Sequence, residues 1–282
     1  MRYFSPLRYP GGKRRLTKFI AGICDNNNID GHYIEPYAGG ASVALYLLFN
    51  QFVSEITIND YDRAVYAFWY SVLYNTNKFC HLIKKAEISI ENWYRQKEIQ
   101  FNKDTERDLL KLGFSTFFLN RTNYSGIIDG GVIGGISQKG KYKIDCRFNK
   151  DELISRIKLI AIHKRVIHVS NLDALQLIKL IKKNKNTIFY FDPPYYIKGP
   201  SLYMNHYKHD DHVKVSEAIK SIKNAKWLVS YDNTPEIRKM YDQCKQKKYA
   251  FYHTAYSAKI GKEIMFFSNN LSIPRTNLLA KV

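Results

Sequence analysis

The 282-residue sequence contains no run of 18 or more apolar residues, and this absence argues against a helix that spans a bilayer. Residues 1–13 also lack the apolar stretch of a signal peptide. The four cysteines are far apart and form no CxxC pair, which argues against a zinc ribbon and against a disulfide framework. We therefore expect a reduced, cytoplasmic protein.

Acidic residues are scarce: the sequence has 25 Asp and Glu residues against 44 Lys and Arg residues. The formal charge is therefore +19. Such an excess is typical of an enzyme that meets a polyanion, with nucleic acid as the first candidate and an anionic membrane surface as the second. The hydrophobic content of 45% suffices for a sizeable core, so we do not expect a disordered chain. The length allows one large domain, or one domain with a smaller insert.

Strand and helix patterns alternate at both ends of the chain, and this alternation predicts a doubly wound α/β sheet. We expect strands at residues 32–37, 55–58, 166–169, 187–191, 227–231 and 264–267. The middle of the chain instead has helical stretches and a Gly-rich loop. We therefore interpret residues 76–165 as an insert, and residues 1–75 and 166–282 as the two parts of one sheet-containing domain.

The tetrapeptide Asp192-Pro193-Pro194-Tyr195 follows a continuous apolar run that is typical of a strand buried on both faces. It places a carboxylate and an aromatic ring at the carboxyl end of a strand, where open α/β sheets bind ligands. The two prolines fix the backbone and remove two N–H donors, so that carbonyl groups can face a substrate. Acceptors such as Asp192 and the Pro193 carbonyl suit an amino group on an aromatic ring, and Tyr195 suits stacking on that ring. The alternative is an ordinary Pro-Pro turn in which Asp192 caps a helix or is solvated.

A second motif lies at residues 33–42, where Ala38-Gly39-Gly40 forms a turn between a strand and a helix. Glycines in such a turn let the backbone approach a ligand. Asp60 lies 20 residues past Gly40 at the end of the next strand, and this spacing suits a carboxylate that holds ribose hydroxyls. Together these features argue for an adenosine-containing cofactor, without separating NAD from S-adenosylmethionine. Taken alone, the glycines could also form an ordinary tight turn.

A third segment, RYPGGK at residues 8–13, looks like a phosphate loop, but the GxxxxGK[ST] spacing is absent. We therefore reject binding of a nucleoside triphosphate. Lys13 is suited to meeting a carboxylate, and Tyr9 to packing on the cofactor. The alternative is a basic turn near the N-terminus.

The insert carries residues that suit contact with DNA. Five basic side chains oppose the single acid Asp145 between residues 137 and 150, and we interpret this stretch as a basic hairpin that contacts phosphates or a groove. A solvated loop is the alternative. Residues 120–124, NRTNY, offer base-edge donors and a ring, although Arg121 could equally tie the insert to the rest of the chain and Tyr124 could be packed. The DNA-facing candidates are Arg121, Asn123, Tyr124, Lys139, Lys141, Lys143 and Arg147.

Histidines recur every three residues at His206, His209 and His212, beside two aspartates, which leaves a metal site as a minor alternative. We expect instead that Asp210 or Asp211 caps the helix that follows. The prediction is therefore that no metal takes part.

The order of RYPGGK, EPYAGGAS, IND, a long insert and FDPPYY resembles the Dam-like family of DNA adenine methylases, the alpha class of amino-methyltransferases. SYDN at residues 230–233 fits as well, and Tyr37 departs from the phenylalanine usual in the family. The resemblance implies an α/β, Rossmann-like S-adenosylmethionine-dependent methyltransferase sheet with a mainly helical, inserted target-recognition domain. It also implies methyl transfer to N6 of a flipped adenine in double-stranded DNA, with S-adenosylhomocysteine as the product.

The resemblance assigns roles at the cofactor. Tyr9 and Lys13 would contact S-adenosylmethionine, and Glu35 with the turn of residues 38–40 would surround its methionine part. Asp60 would hold the ribose.

Two further aspartates receive roles in the same way. Asp173, a looser match, would lie near the adenine of the cofactor, and Asp192 would line the cofactor site while residues 192–195 bind the target adenine. Two other interpretations remain: an RNA or protein methyltransferase, and a catalytically silent DNA-binding protein on the same fold. A cognate restriction endonuclease is a further candidate partner.

Overall fold

The structure, a computed structural model, describes residues 3–9, 13–197, 207–253 and 259–275, and of residues 250–253 and 259–262 it describes the backbone alone. The elements in chain order are α1 (Thr17–Asn26), β1 (His32–Glu35), α2 (Ser42–Phe49), β2 (Glu55–Asn59), α3 (Arg63–Tyr74), α4 (Thr76–Lys85), α5 (Ile90–Phe101), α6 (Leu109–Thr122), α7 (Lys150–Ile162), β3 (Ile167–Ser170), α8 (Ala174–Leu180), β4 (Thr187–Phe191), α9 (His209–Lys220), β5 (Lys226–Asp232), α10 (Pro235–Met240), β6 (Lys245–His253) and β7 (Lys259–Phe267). None of the helices in the described ranges is both long and apolar enough to cross a membrane.

The chain divides into two compact units. The helical unit consists of Met1–Gly12 and Asp60–Asn171, and the sheet unit consists of Lys13–Asn59 and Leu172–Val282. The helical unit contains α3 to α7 and β3, whereas all the other elements belong to the sheet unit. Each unit is built from two separate stretches of the chain.

In the described part of the sheet unit, six strands follow the order β2-β1-β4-β5-β7-β6. The first four are parallel, whereas β7 runs antiparallel to both β5 and β6. Every residue of β4 is buried, as its uninterrupted apolar sequence predicts. The order and direction of these strands confirm the predicted Rossmann-like α/β class.

The register of the central strands brings their carboxyl ends to one edge of the sheet. Phe189 on β4 lies opposite Ile34 on β1 and opposite Trp227 on β5. All three side chains are buried in the core of the sheet unit. Because these strands are parallel neighbours, the residues that follow each of them lie close together, and we call this edge the carboxyl edge.

The helical unit is held together by close packing of α3 against α6. Thr116 on α6 donates a hydrogen bond to the Ala64 carbonyl on α3 at 3.1 Å. Gly113 lies one turn earlier, where a Cβ atom would be 2.5 Å from the Ala67 carbonyl oxygen. The glycine therefore permits an approach that no larger residue at this position would allow.

The predicted strands correspond to β1, β2, β3, β4, β5 and the end of β7. Among the strands of the described ranges, β6 was not predicted. The sequence of β6 begins KQKKY, which lacks apolar alternation because this strand is the last of the sheet and its lysines lie on an exposed edge.

The compact units divide the chain differently from the predicted insert of residues 76–165. The helical unit begins at Asp60, because α3 packs against α6, and it continues to Asn171. The boundaries of the target-recognition domain, which concern function, stay a prediction.

Candidate active site

Asp192 follows β4 at the carboxyl edge and has its two carboxylate oxygens in different surroundings. Oδ1 forms an ion pair with Lys13 Nζ at 2.9 Å and accepts a hydrogen bond from Ser230 Oγ at 2.7 Å. No described residue donates a hydrogen bond to Oδ2, and the side chain is 19% exposed. Burial raises the pKa of Asp192, although Lys13 and Ser230 oppose this effect. One oxygen is therefore anchored, while the other is open to a ligand.

Lys13 connects Asp192 to a buried tyrosine and a second carboxylate. Its Nζ donates to the Tyr195 hydroxyl at 2.7 Å, and that hydroxyl donates to Glu263 Oε1 at 2.6 Å. The Tyr249 hydroxyl donates to the other oxygen, Oε2, at 2.7 Å. The lysine, both tyrosines and the glutamate are all buried. Glu263 was not predicted from the sequence, because it stands alone on β7 with no motif around it.

The predicted stacking of Tyr195 on a base requires an open ring face. In the structure Tyr195 is only 4% exposed, and Lys13 Nζ lies 4.8 Å from the centroid of its ring. We therefore assign Tyr195 to the network around Lys13, and its stacking on the target adenine stays a prediction.

Glu35 ends β1 and is buried at the same edge. Its Oε1 accepts hydrogen bonds from the Tyr33 hydroxyl and from the Ala44 backbone N–H, each at 3.0 Å. No described residue donates to Oε2. Burial raises the pKa of Glu35 to about 8 despite these two donors, and the charge of Asp192 raises it further.

The turn after β1 is organised by Asn59 at the end of β2. The Asn59 side-chain amide donates to the Pro36 carbonyl at 2.9 Å, and the Asn59 backbone carbonyl accepts from the Ala38 N–H at 2.9 Å. Gly39 has a φ of 47°, in the left-handed region that favours glycine. The predicted turn is thus present, and Asn59, which sequence analysis quoted only within the IND motif, positions it.

Asp173 lies at the start of α8. Its Oδ1 accepts a hydrogen bond from the Leu175 N–H at 2.8 Å, so the side chain caps the helix. Two hydrogen bonds between Asn59 and the backbone of Leu172 hold the preceding residue. The contact of Asp173 with the cofactor stays a prediction.

Asp232 at the end of β5 holds the segment that follows the tetrapeptide. Its two oxygens accept hydrogen bonds from the backbone N–H groups of Tyr196 and Ile197, each at 2.9 Å. Asp232 and Ser230 both belong to the SYDN motif, to which the sequence assigned no role. In the structure, Ser230 of this motif donates a hydrogen bond to Asp192, and Asp232 accepts a hydrogen bond from the segment that follows the tetrapeptide.

Two predicted cofactor residues, Tyr9 and Asp60, belong to the helical unit. Asp60 directly follows β2, and its Oδ1 accepts from the Asp62 N–H at 2.9 Å. Tyr9 is half-buried. Their contacts with the cofactor stay predictions, and residues 10–12 of the RYPGGK segment lie outside the described residues.

Asn123 was predicted to contact DNA bases, but in the structure its side-chain amide forms hydrogen bonds within the protein. Its Oδ1 accepts from the Trp93 indole N–H at 2.6 Å, and its Nδ2 donates to the carbonyls of Ile127 and Ile128. The side chain is fully buried. We therefore assign Asn123 to packing within the helical unit rather than to base contacts.

Arg121 has a similar structural use. Its guanidinium donates two hydrogen bonds to the Arg147 carbonyl and one, at 3.5 Å, to the Pro6 carbonyl. Burial lowers the pKa of Arg121 to about 9, with added repulsion from Arg8 and Arg156. Of the two roles left open by the sequence, the contacts favour the one in which Arg121 fastens segments of its own unit together.

The remaining DNA-facing candidates are exposed. The Tyr124 ring is 55% exposed, although its hydroxyl accepts a hydrogen bond from the Gly134 N–H at 3.2 Å. The exposed basic side chains are Lys139, Lys141, Lys143 and Arg147, and we call residues 137–148 the basic loop.

The prediction of a hairpin for the basic loop is wrong, because these residues form successive turns without a strand. Side-chain contacts replace the cross-strand bonds. Gln138 Oε1 accepts from the Ile144 N–H at 2.8 Å, and the buried Phe148 ring lies 5.4 Å from that of Phe117 on α6. The loop is therefore fastened by its apolar residues while its basic side chains face solvent.

The two described histidines of α9 have different hydrogen-bond partners, and His209 pairs its Nδ1 with the Tyr196 hydroxyl at 2.9 Å. The buried His212 pairs its Nδ1 with the Tyr231 hydroxyl at 3.0 Å, and Asp211 accepts from the Lys208 N–H at the start of α9, as predicted. His206 lies outside the described residues. In the part of the chain that the structure describes, no cluster of three or more His, Cys, Asp or Glu side chains could hold a metal ion.

Comparison with known proteins identifies the family. The sequence profile of the D12 class N6 adenine-specific DNA methyltransferases matches residues 9–255. The type II methyltransferase M.MjaIII of Methanocaldococcus jannaschii is 22% identical over 263 residues, which cover 86% of this chain and 89% of that protein. Among solved structures, SMU.472, assigned as a methyltransferase and solved in complex with SAH, is 11% identical with a TM-score of 0.39, and the match covers 89% of this chain and 52% of that one. Because the profile matches most of its length, the chain belongs to the D12 class of N6 adenine-specific DNA methyltransferases.

Proposed function

We propose that this chain transfers the methyl group of S-adenosylmethionine to N6 of a flipped adenine at a specific site in double-stranded DNA. The observation that carries the proposal is the Asp192 carboxylate at the carboxyl edge. Its Oδ1 is held by Lys13 and Ser230, while its Oδ2 faces no donor from the described residues. A target amino group can therefore donate to an acceptor that is already oriented.

The N6 amino group of adenine is a weak nucleophile, and the site must make it more reactive. The lone pair of N6 is delocalised into the purine ring, and acceptors for its two hydrogens favour a pyramidal nitrogen whose lone pair can attack. Asp192 Oδ2 and the Pro193 carbonyl would be these acceptors, and the prolines offer no competing N–H. As the N–C bond forms, the C–S bond of the sulfonium breaks and its electron pair stays on sulfur. N6 would then lose a proton to solvent, and S-adenosylhomocysteine would be the second product.

The cofactor site has the same construction as the acceptor site. Glu35 Oε1 is anchored by Tyr33 and Ala44, and Oε2 is open to the ammonium of a methionine moiety. The turn at Gly39 lets the backbone approach the ligand. These residues therefore fit S-adenosylmethionine, which supplies an electrophilic methyl group when bound.

DNA contact is proposed for the basic loop. Its exposed lysines suit phosphate oxygens, and such contacts position a duplex without reading its sequence. Because an exocyclic amine inside a base pair cannot reach a carboxylate in a pocket, the target adenine must leave the stack.

The direct test is incubation of the protein with labelled S-adenosylmethionine and unmethylated DNA, followed by identification of the modified base. We expect label in N6-methyladenine. Asp192→Asn, which keeps the size of the side chain, should lower the single-turnover rate by about 10²- to 10³-fold, as expected when one oriented polar group at a reacting centre is lost. Binding of S-adenosylmethionine, measured by calorimetry, should change little.

Asp242→Asn is the matched control, because it removes an exposed carboxylate of the same unit and should keep the full rate. Label found in cytosine alone would refute the proposal. Full activity of Asp192→Asn would refute the assigned mechanism.

The two alternatives are separated by simple measurements. Competition between DNA and RNA substrates distinguishes an RNA methyltransferase, and failure to bind S-adenosylmethionine would indicate a catalytically silent DNA-binding protein. We also propose a cytoplasmic location, and a cognate restriction endonuclease that cleaves the same unmethylated site. Protection of methylated DNA from cleavage in cell extract tests the latter.

A further inference from the structure

Glu263 reaches the active site from an antiparallel strand. On β7 it lies opposite Asp232 of β5 and opposite Tyr249 of β6. Because β7 runs against β5, this residue lies at the carboxyl edge, beside the ends of strands that come from distant parts of the sequence. It is only 2% exposed, so its carboxylate has almost no water around it.

Both carboxylate oxygens of Glu263 accept hydrogen bonds from tyrosines. Oε1 accepts from Tyr195 at 2.6 Å, and Oε2 accepts from Tyr249 at 2.7 Å. A buried carboxylate is costly unless it is hydrogen-bonded, and hydrogen bonds to an ionised acceptor are among the strong ones. The two tyrosines, one following β4 and one on β6, therefore fix the orientation of this group.

The hydrogen bonds have a defined direction from Lys13 to Glu263. Tyr195 has a single hydroxyl proton, and Glu263 accepts it. The Tyr195 oxygen must therefore present a lone pair to Lys13, whose Nζ lies 2.7 Å away. This contact holds the ammonium 2.9 Å from Asp192 Oδ1. Without the acceptor at Glu263, the Tyr195 proton could turn toward Lys13 and weaken that contact.

We infer that Glu263 is a positioning residue for methyl transfer, which acts through Tyr195 and Lys13 to keep Asp192 Oδ1 occupied and Oδ2 free for the target amine. The inference rests on the proposed function. Glu263 itself does not touch the reacting atoms. Its loss should therefore affect the rate of transfer more than the binding of S-adenosylmethionine.

The negative charge of Glu263 should affect the pH dependence of the rate. A merely structural role of Glu263 would leave that pH dependence unchanged. The half-buried Asp192 and the buried Glu263 are two carboxylates beside one ammonium, and the charge of Glu263 adds to the effect of desolvation in raising the pKa of Asp192. Among the side chains that the structure describes, the titratable groups around the pair include Lys13, Glu35, Tyr190, Tyr195, Tyr231, Asp232 and Tyr249. Removing the charge at residue 263 should lower the pKa of Asp192, so the acid limb of the pH–rate profile should move to lower pH.

The test compares Glu263→Gln, Glu263→Asp and a control in single-turnover assays. For Glu263→Gln we expect a rate lower by about 10- to 100-fold, because small displacements of a reacting group are costly, together with an acid limb at lower pH. Glu263→Asp keeps the charge but shortens the reach, so its rate should fall without that shift. The dissociation constant of S-adenosylmethionine should stay within about threefold of wild type in both variants.

Ser268→Ala is the matched control, because it removes a buried hydrogen bond to Trp227 at the end of the same strand without touching the network. A wild-type rate and pH profile in Glu263→Gln would overturn the inference, and so would an equal loss in Ser268→Ala. If Glu263→Gln does not fold, Tyr249→Phe carries the test, since it removes one donor and keeps the carboxylate. A lower rate with unchanged cofactor binding then supports the inference, and an unchanged rate overturns it.

The two proposals fail in different ways. If the wild-type protein does not methylate adenine, the proposed function fails whatever Glu263 does. If the wild type is active and Asp192→Asn is inactive, but Glu263→Gln keeps the full rate and profile, only the role of Glu263 fails.

Discussion

Single carboxylates at the carboxyl edge owe their properties to burial. Glu35 and Asp192 each have one oxygen held by donors of the protein and one oxygen without a described donor. Burial removes water from each carboxylate, and the protein's donors replace only part of that water. The pKa of each group is therefore raised, and that of Glu35 reaches about 8. We therefore expect Glu35 to hold a proton near neutral pH when no ligand is bound.

Because Glu35 would have to lose its proton when a cation binds, we expect the affinity for the cofactor to depend on pH. Glu35 is protonated below about pH 8, whereas a bound ammonium favours the ionised form, so binding must release a proton. Between pH 6 and 7.5 the affinity for S-adenosylmethionine should rise with pH, by up to about tenfold per unit. Calorimetry at several pH values measures this slope. Glu35→Gln should bind more weakly and without the slope, and a flat wild-type profile would contradict the assignment of Glu35 to the ammonium.

Pairs of elements depend on small residues where their backbones meet. On α6, Gly113 faces the Ala67 carbonyl of α3, and a Cβ atom there would lie 2.5 Å from that oxygen. The obstacle is backbone, so it cannot rotate away as a side chain would. The helical unit therefore depends on the absence of one methyl group in the middle of its most buried helix.

Gly113→Ala should destabilise the protein even though alanine is the better helix former by about 1 kcal/mol. Overpacking costs about 1–3 kcal/mol, and a clash with backbone should lie toward the upper end of that range, so after the helix gain we expect a net loss of up to about 2 kcal/mol in the free energy of unfolding. Urea denaturation measures it. Gly131→Ala is the control, because no atom lies within 4 Å of its added Cβ. Equal stability of the two variants would show that α3 and α6 can move apart at little cost.

The whole molecule carries a formal charge of +19, which favours association with DNA at any sequence. The proposed phosphate contacts come from the basic loop, whose buried Ile144 and Phe148 keep its lysines turned to solvent. If net charge alone determined DNA affinity, all exposed lysines would contribute equally. If the basic loop is a defined interface, its lysines contribute more than those elsewhere.

Salt dependence distinguishes these two cases. Replacing Lys139, Lys141 and Lys143 together by alanine should reduce the slope of log affinity against log salt by about 2–3, because each phosphate contact contributes about 0.9. The control replaces three exposed lysines of the sheet unit, Lys182, Lys185 and Lys223, and removes the same charge. It should leave the slope nearly unchanged. Equal slopes for the two triple variants would refute the basic loop as the interface.

Sequence patterns predicted those features that depend on neighbouring residues. The apolar run of β4 identified a buried strand, and the tetrapeptide after it placed Asp192 at the carboxyl end of that strand. The glycines before α2 identified a tight turn. Each of these follows from local backbone preference or from periodic burial, which a short segment of sequence expresses completely. The hairpin at the basic loop was predicted wrongly because glycines and lysines permit several turn conformations, and Gln138 and Phe148 decided among them.

The sequence by itself therefore determined the family and the α/β class, because motif order and strand composition are written along the chain. Only the tertiary structure decided which partners those residues have. Tyr195 and Glu263 are 68 positions apart, and they meet because an antiparallel strand returns to the carboxyl edge. The same holds for Asn123, whose polar amide is read as a base contact from sequence but is used up by Trp93 and two carbonyls. Side-chain type limits what a residue can bind, whereas burial and the direction of its neighbours determine what it does bind.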